Sequence, residues 1–209
     1  MTELNYQQHI FPGTRTALVT ELKQALRPKR FQHVLRVEQT AISLAQANGV
    51  DVEKASIAGL IHDYAKQRPD EDFLAAITTY HLPEELRQYG NAIWHGVVGA
   101  ELIKRELHIY DEDVLNAVRH HTTGAVYMTP LEQIVYMADY IEPARDFPGV
   151  KAARRITAEN LGAGVAFQAQ HTLQYLVAHG LAVYPASLDT YNAWVPRYVE
   201  ELKQNENKL

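Results

Sequence analysis

Ten histidines and no cysteine set the chemistry open to this 209-residue chain. Along the sequence run His33, the pair His62-Asp63, His95 and the pair His120-His121, and Asp139 closes the series. Neutral imidazole and carboxylate are ligands for borderline and harder divalent metals such as Fe, Mn, Zn, Co and Ni. Without thiols a structural cysteine-type zinc centre is excluded, and an oxygen/nitrogen site for metal-assisted hydrolysis is favoured.

Each residue has a plainer reading to weigh against the metal. His62 and Asp63 end the most apolar stretch of the chain. Neighbours on a helix project about 100° apart, so both reach one ion only near its end or edge. An ionised aspartate in apolar surroundings is costly unless compensated, and a divalent cation compensates it; the alternative is an ion pair with Lys66 or Lys54. Asp139 interrupts the apolar run of Leu131, Ile134, Val135, Ala138 and Ile141, where the alternative is a salt bridge to Arg145 or Lys66. His33, amid Phe31, Val34 and Leu35, read alone is a hydrogen-bonded core or surface imidazole. Taken together, His33, His62, Asp63 and Asp139 are expected to meet around one cation. His95 follows Trp94 and precedes Gly96 and Gly99, whose spacing suggests close backbone approach. His120 and His121 end a helix ahead of Thr122-Thr123-Gly124. One of the two can be only a favourable charge at the helix C-terminus, and His121, beside the polar turn, is the stronger candidate. A second ion would draw on His95, His120 and His121.

The elements that must position these groups read as helices throughout. Thr14 caps a segment running to Pro28. Arg30 to Asn48 follows with a largely 3.6-residue spacing and an Asn48-Gly49 stop. Asp51 caps a segment running to Lys66, apolar on most sides and therefore the buried central helix. Short helices are expected over 70–81 and 83–90, then longer ones over 93–108, 111–121 and 129–142, the last with Thr129 as cap and Pro130 in its first turn. Residues 142–150 read as a loop; helices over 151–180 and 188–204 flank the connection Leu181–Ser187. No alternating strand, repeat or linker divides the chain. The expectation is an all-α single domain over 14–204, with an N-terminal tail (1–13) and a C-terminal tail (205–209).

Composition narrows the partners. The chain is 46% hydrophobic and 22% charged, close to ordinary globular usage, and is large enough to fold without disulfide or zinc staples. A net charge of −5 speaks against a nucleic-acid polymer and for a small-molecule substrate. The one local basic cluster, Arg27, Lys29, Arg30 and Arg36, reads as a solvated helix end. No apolar run is long enough to span a membrane, and the first residues lack signal-peptide character. With no cysteine, the expectation is a cytoplasmic protein.

The order His33…His62-Asp63…Asp139 resembles the H…HD…D signature of HD-domain phosphohydrolases, all-α bundles that hydrolyse phosphoesters with divalent metals. The strings RFQHVLRVEQTA, AGLIHDYAK, HGVVGAELIKRE, HHTTG, YMADYIEPARDFPGV and LAVYPASLDTYN resemble the YqeK-type HD hydrolases, the symmetrical diadenosine tetraphosphate hydrolases, over roughly residues 20 to 193. The resemblance implies iron held by His33, His62, Asp63 and Asp139, with Mn, Co, Ni or Zn as other candidates. It implies a nucleotide bordered by His33, Lys66, His95, His121, Thr122, Asp139 and Arg145, and by Ala182, Val183, Tyr184, Pro185, Ala186 and Ser187. The chain departs from the pattern at His120, where Tyr is common, and at Ala125, where Arg is common; Arg119 or Arg145 is the expected substitute.

The reaction implied is symmetrical hydrolysis of diadenosine tetraphosphate to two ADP. Asp63 would orient or deprotonate water, and Lys66, Arg145 and a protonated His95 or His121 would stabilise the transferring phosphoryl group. Tyr184 and Pro185 would pack on a base; Trp94 and Trp194 read as core. The alternatives are another HD-type nucleotide phosphohydrolase and a non-catalytic nucleotide-binding module. A homodimer is compatible with every one of these readings.

Overall fold

The computed structural model describes residues 4–200 and Lys203; the expected tail 205–209 lies outside the described residues, as do residues 1–3. Among the described residues are eleven α-helices, two 3₁₀ turns and no strand, so the fold is all-α as expected. α1 (Arg15–Ala25) starts behind Thr14, whose hydroxyl accepts from the Ala17 N–H. α2 (Pro28–Asn48) begins two residues before the expected Arg30, because Pro28 suits a first turn where no N–H donor is required. It ends at Gly49, in the left-handed region at φ +66°.

Asp51 caps α3 (Val52–Ile61) by accepting from Lys54 N–H at 3.0 Å. Every side chain from Ala55 to Ile61 is buried, which makes α3 the central helix. A Cβ at Gly59 would lie 3.0 Å from the Cα of Glu38, so glycine is what lets α2 and α3 meet at backbone distance. The expected continuation to Lys66 does not form. The N–H groups of Tyr64 and Lys66 bond to the carbonyls of Ile61 and Asp63 at 2.9 Å, an i→i+3 pattern that tightens the chain and turns His62 and Asp63 off the helix end.

α4 (Asp70–Thr79), a 3₁₀ turn (Glu84–Gln88), α5 (Asn91–Val97) and α6 (Gly99–Glu106) follow; the expected 93–108 helix is thus split in two. Asp111 caps α7 (Glu112–His120), and Thr129 with Glu132 forms a capping box on α8 (Pro130–Ile141). α9 (Val150–Glu159) and α10 (Leu161–Ala178) replace the expected 151–180 helix. The break falls at Asn160, whose side chain accepts from Ala163 N–H and restarts the chain as a new cap. α11 (Pro185–Trp194) starts before the expected Leu188, again behind a first-turn proline, and gives way to a 3₁₀ turn at Val195–Arg197. α8 packs against α2, α3, α7 and α10, closing a large core around α3; a smaller cluster gathers Ala65, Phe73, Trp94 and Val98. Both tryptophans are core residues, as expected.

The segment set apart as an N-terminal tail has no helix before Arg15 among the described residues but is docked. Phe11 is buried, the N–H groups of Gln7 and Gln8 donate to Glu53 at 2.7 and 2.9 Å, and the Tyr6 hydroxyl meets Ser56 Oγ at 2.8 Å. No helix among the described residues is long and apolar enough to cross a membrane.

Candidate metal and phosphate site

Four imidazoles stand in a row. His33 in the second turn of α2 lies 5.4 Å, centroid to centroid, from His62 at the end of α3; His62 lies 5.0 Å from His121 at the end of α7; His121 lies 4.8 Å from His95 in α5. The glycines after His95 make this possible. A Cβ at Gly96 would sit 3.1 Å from the carbonyl oxygen of Val118 and one at Gly99 3.1 Å from Ala65 Cβ, so α5 presses directly on the end of α7 and the start of α6 on the turn beyond α3.

In each ring Nδ1 faces an acceptor: Glu142 Oε1 at 3.1 Å for His33, and the carbonyls of Gly59 (2.8 Å), Asn91 (2.6 Å) and Val118 (2.7 Å) for His62, His95 and His121. An acceptor at Nδ1 favours a proton there and turns Nε2 toward the other rings and the acids. The Nε2 atoms of His33, His62 and His95 converge on the two aspartates. Asp63 Oδ2 is 3.3 Å from His62 Nε2 and 3.5 Å from His33 Nε2, and Asp63 Oδ1 is 3.5 Å from His95 Nε2. Asp139 Oδ1 is 3.0 Å from His33 Nε2 and 3.8 Å from His62 Nε2.

Buried acceptors facing buried acceptors repel unless something positive lies between them. The Nε2 atoms of His33 and His62 are both buried without a hydrogen-bond partner. The ligand atoms fall into two groups with mutual distances within 4.8 Å: His33, His62 and Asp139, and His62, Asp63 and His121. Imidazole nitrogen and carboxylate oxygen in this arrangement fit a divalent cation, and Glu142 behind His33 supplies the carboxylate–histidine support typical of such sites.

Electrostatics divides the row. Burial lowers the pKa of His62, but the Asp63 and Asp139 carboxylates outweigh it and the net shift is upward. Burial would raise both carboxyls, yet the surrounding histidines, and Arg145 in the case of Asp139, hold them well below the usual range. At the other end, burial and the neighbouring imidazole bring His95 down to about 3; burial and His62 bring His121 down to about 4. Both shifts favour the neutral ring, against the expectation of a protonated His95 or His121. Thr122 Oγ1 lies 3.0 to 3.1 Å from the Nε2 atoms of both, and Lys66 Nζ lies 3.2 and 3.3 Å from the two nitrogens of His95. Burial depresses the Lys66 amine despite Asp63 nearby.

The plainer partners of the two aspartates are arginines. Arg30 donates to Asp63 Oδ2 at 2.6 Å, and Arg145 folds back to pair with the Asp139 carboxylate while its Nε donates to the Asp139 carbonyl at 2.8 Å. Lys54, weighed as a partner of Asp63, instead bridges Asp111 and Asp113 at 2.9 and 2.6 Å. His120 is not part of the row: its Nδ1 lies 2.5 Å from Glu132 Oε2, and neither donor group among the described residues contains it. As a ligand for a second ion it is set aside, because a one-residue step from His121 points its ring toward the capping box of α8. Arg119 does not replace an arginine at 125 either, being tied to Glu101, Glu112 and Asn116. Ala182, Val183 and Tyr184 lead into Pro185, Ala186 and Ser187 at the start of α11, where the Tyr184 ring stands edge-on to Tyr89 at 4.8 Å beside the Trp94 cluster.

Sequence reasoning missed Glu142. It also read Arg30 and Arg36 as solvated. Arg36 clamps Glu142 through Nε at 2.7 Å and a terminal nitrogen at 3.2 Å, 106 residues away in sequence. The available signal was an acid three residues after Asp139, directly behind Ile141 on the same apolar helix.

The HD domain family matches residues 30–144. The symmetrical bis(5'-nucleosyl)-tetraphosphatase of Bacillus subtilis (strain 168) is 41% identical over 171 residues, 82% of this chain and 92% of that protein. Its namesake from Halalkalibacterium halodurans is 39% identical over 171 residues, 82% and 91% of the two chains. The crystal structure of a predicted HD superfamily hydrolase involved in NAD metabolism, from Clostridium acetobutylicum, has a TM-score of 0.83 at 36% identity, covering 88% of this chain and 98% of its own. The match spans the whole imidazole and aspartate cluster except the tail of its loop, and the chain belongs to the HD-domain family, in its YqeK-type branch.

Proposed function

We propose that the protein hydrolyses diadenosine tetraphosphate and related dinucleoside polyphosphates symmetrically to two ADP, using a divalent ion, iron first among the candidates. The observation that carries the reading is the convergence of the Nε2 atoms of His33, His62 and His95 on Asp63 and Asp139, with Lys66 and Arg145 beside them. His33, His62, Asp63 and Asp139 are the residues to hold the ion, with His121 within reach of the same group. When bound, the ion supplies Lewis acidity and a water of low pKa.

The side chains do the rest. Asp63 orients the water that attacks the second phosphorus from one adenosine, and the bond from that phosphorus to the bridging oxygen breaks. The electron pair leaves with the second ADP, whose phosphate needs no proton to depart. Asp63 takes the water proton and passes it to solvent, while His95, 3.5 Å from Asp63 through Nε2 and anchored at Nδ1 by the Asn91 carbonyl, positions that carboxylate. Lys66 offsets charge on the transferring group, and Arg145 adds a planar fork suited to phosphate oxygens. Tyr184 and Pro185, with Ala182, Val183, Ala186 and Ser187 around them, border one nucleoside. The catalytic unit is taken as 14–204, working on a cytoplasmic nucleotide.

The test is product identification. Purified protein supplied with iron or manganese should release two ADP per diadenosine tetraphosphate, and chelator should abolish turnover. ATP plus AMP, or turnover confined to mononucleotides, would replace this reading with that of another HD phosphohydrolase. Binding without any product would make the protein a nucleotide sensor.

A further inference from the structure

The row of imidazoles has two ends, and both face outward chemistry. The His95 end meets Lys66, Thr122 and the Trp94–Tyr184 side. The His33 end opens into a separate hollow of about 470 Å³, walled by Lys29, Arg30, Arg36 and Arg145, with Gln67 and Phe147 at its margin. Four cationic side chains face only two acids there, Glu142 and Asp146. Lys29 is exposed and enters no ion pair among the described residues. Arg30 spends one of its five N–H donors on Asp63, so four remain. Phe147 is partly exposed and its ring is braced by Tyr140 at 4.8 Å, which fixes an aromatic face at the rim.

Symmetrical cleavage places the reacting phosphorus near the middle of its substrate, so the protein has to hold a nucleoside diphosphate on each side of the ion. The Lys66 and Tyr184 side accounts for one. We infer that the hollow lined by Lys29, Arg30, Arg36 and Arg145 is the subsite for the other nucleoside diphosphate, with its base against Phe147. The inference rests on the reaction proposed above. A bound cation strengthens it, because a cation neutralising Asp63 and Asp139 frees Arg30 and Arg145 to bond phosphate. The basic residues at the start of α2 are then part of the substrate track and not a solvated helix end.

Equilibrium dialysis of ADP against the metal-loaded protein reads the subsite directly, beside Lys29→Glu and Phe147→Ala, both at solvent-accessible side chains outside the metal-binding groups. Wild type should bind two ADP per chain. Lys29→Glu should weaken one of them about tenfold or more and leave the other unchanged, and should raise KM for diadenosine tetraphosphate more than it lowers kcat. Phe147→Ala should weaken the same ADP about fivefold while binding of inorganic pyrophosphate is unaltered, the signature of a lost stacking face. A single ADP per wild-type chain, or two with unchanged affinities in Lys29→Glu, would overturn the inference. If Phe147→Ala changed nothing, or changed pyrophosphate binding equally, the assignment of a base to that ring would fall. Failure of the reaction itself looks different: no ADP would form from diadenosine tetraphosphate, yet Lys29→Glu would still lose one of two bound ADP.

Discussion

The His33 and His95 ends of one row of imidazoles share an acceptor at Nδ1 but not an environment. Around His33 and His62, two aspartates and Glu142 surround the rings, and the His62 pKa moves up. Around His95 and His121 the near neighbours are Asp63, a threonine hydroxyl, an amine and each other, and both pKa values fall to about 3 and 4. The same residue type is therefore pushed toward the charged form at one end and toward the neutral form at the other. Burial lowers the rings at both ends; at His62 the two carboxylates outweigh it, whereas at His95 and His121 a neighbouring imidazole adds to it.

The comparison breaks first at the acids. Asp63→Ala and Asp139→Ala should each lose stoichiometric metal and reduce turnover at least about a hundredfold, while circular dichroism keeps the helical signal of a core built on α3. Metal retained in both variants would mean that the ion is held elsewhere. Lys66→Ala probes the opposite end: turnover should drop about a hundredfold with metal content unchanged, since an ammonium group has no lone pair to offer a metal.

A smaller effect is expected at Glu142→Gln, which leaves His33 without its charged support and should cost about tenfold in metal affinity, read by chelator competition. Stability gives a second measurement. Burial alone would raise the Glu142 carboxyl, but bonds from Arg36, the Ala144 N–H and His33 hold it at about 2, against an ordinary 4.5. A depressed carboxyl contributes stability that is fully present above the unfolded value and is lost as pH falls toward the folded one. Urea midpoints of the wild type should therefore decline between about pH 5 and pH 2, and less steeply in Glu142→Gln. The smallest effect belongs to His120→Ala, which should change kcat/KM by less than about twofold, because its ring faces Glu132. A loss comparable to that of the aspartates would restore it to the site.

Much of this was legible in residue order. Apolar periodicity and caps located the helices, and buried acids within them marked Asp63 and Asp139. Preference for His121 over its neighbour followed from the polar turn beside it. Helix ends were less legible: the stop at Ile61 comes from i→i+3 bonds that a continuous apolar pattern does not reveal. Long-range pairing was not legible at all. Glu142 lay in a segment read as loop, and its partners His33 and Arg36 are 109 and 106 residues away. Charge on a helix surface looks solvated until the loop that covers it is placed.

Residues 4–11 matter more than their lack of regular structure suggests. They lie across the central helix like a strap: Glu53 takes two main-chain donors, and Ser56 links Tyr6 to the wholly buried Glu38, itself clamped by Arg15. Trimming the protein back to its first helix would leave the Glu53 carboxylate without the Gln7 and Gln8 donors and strip Phe11 from the hydrophobic interior, so a shortened version should melt earlier although every catalytic group is still present.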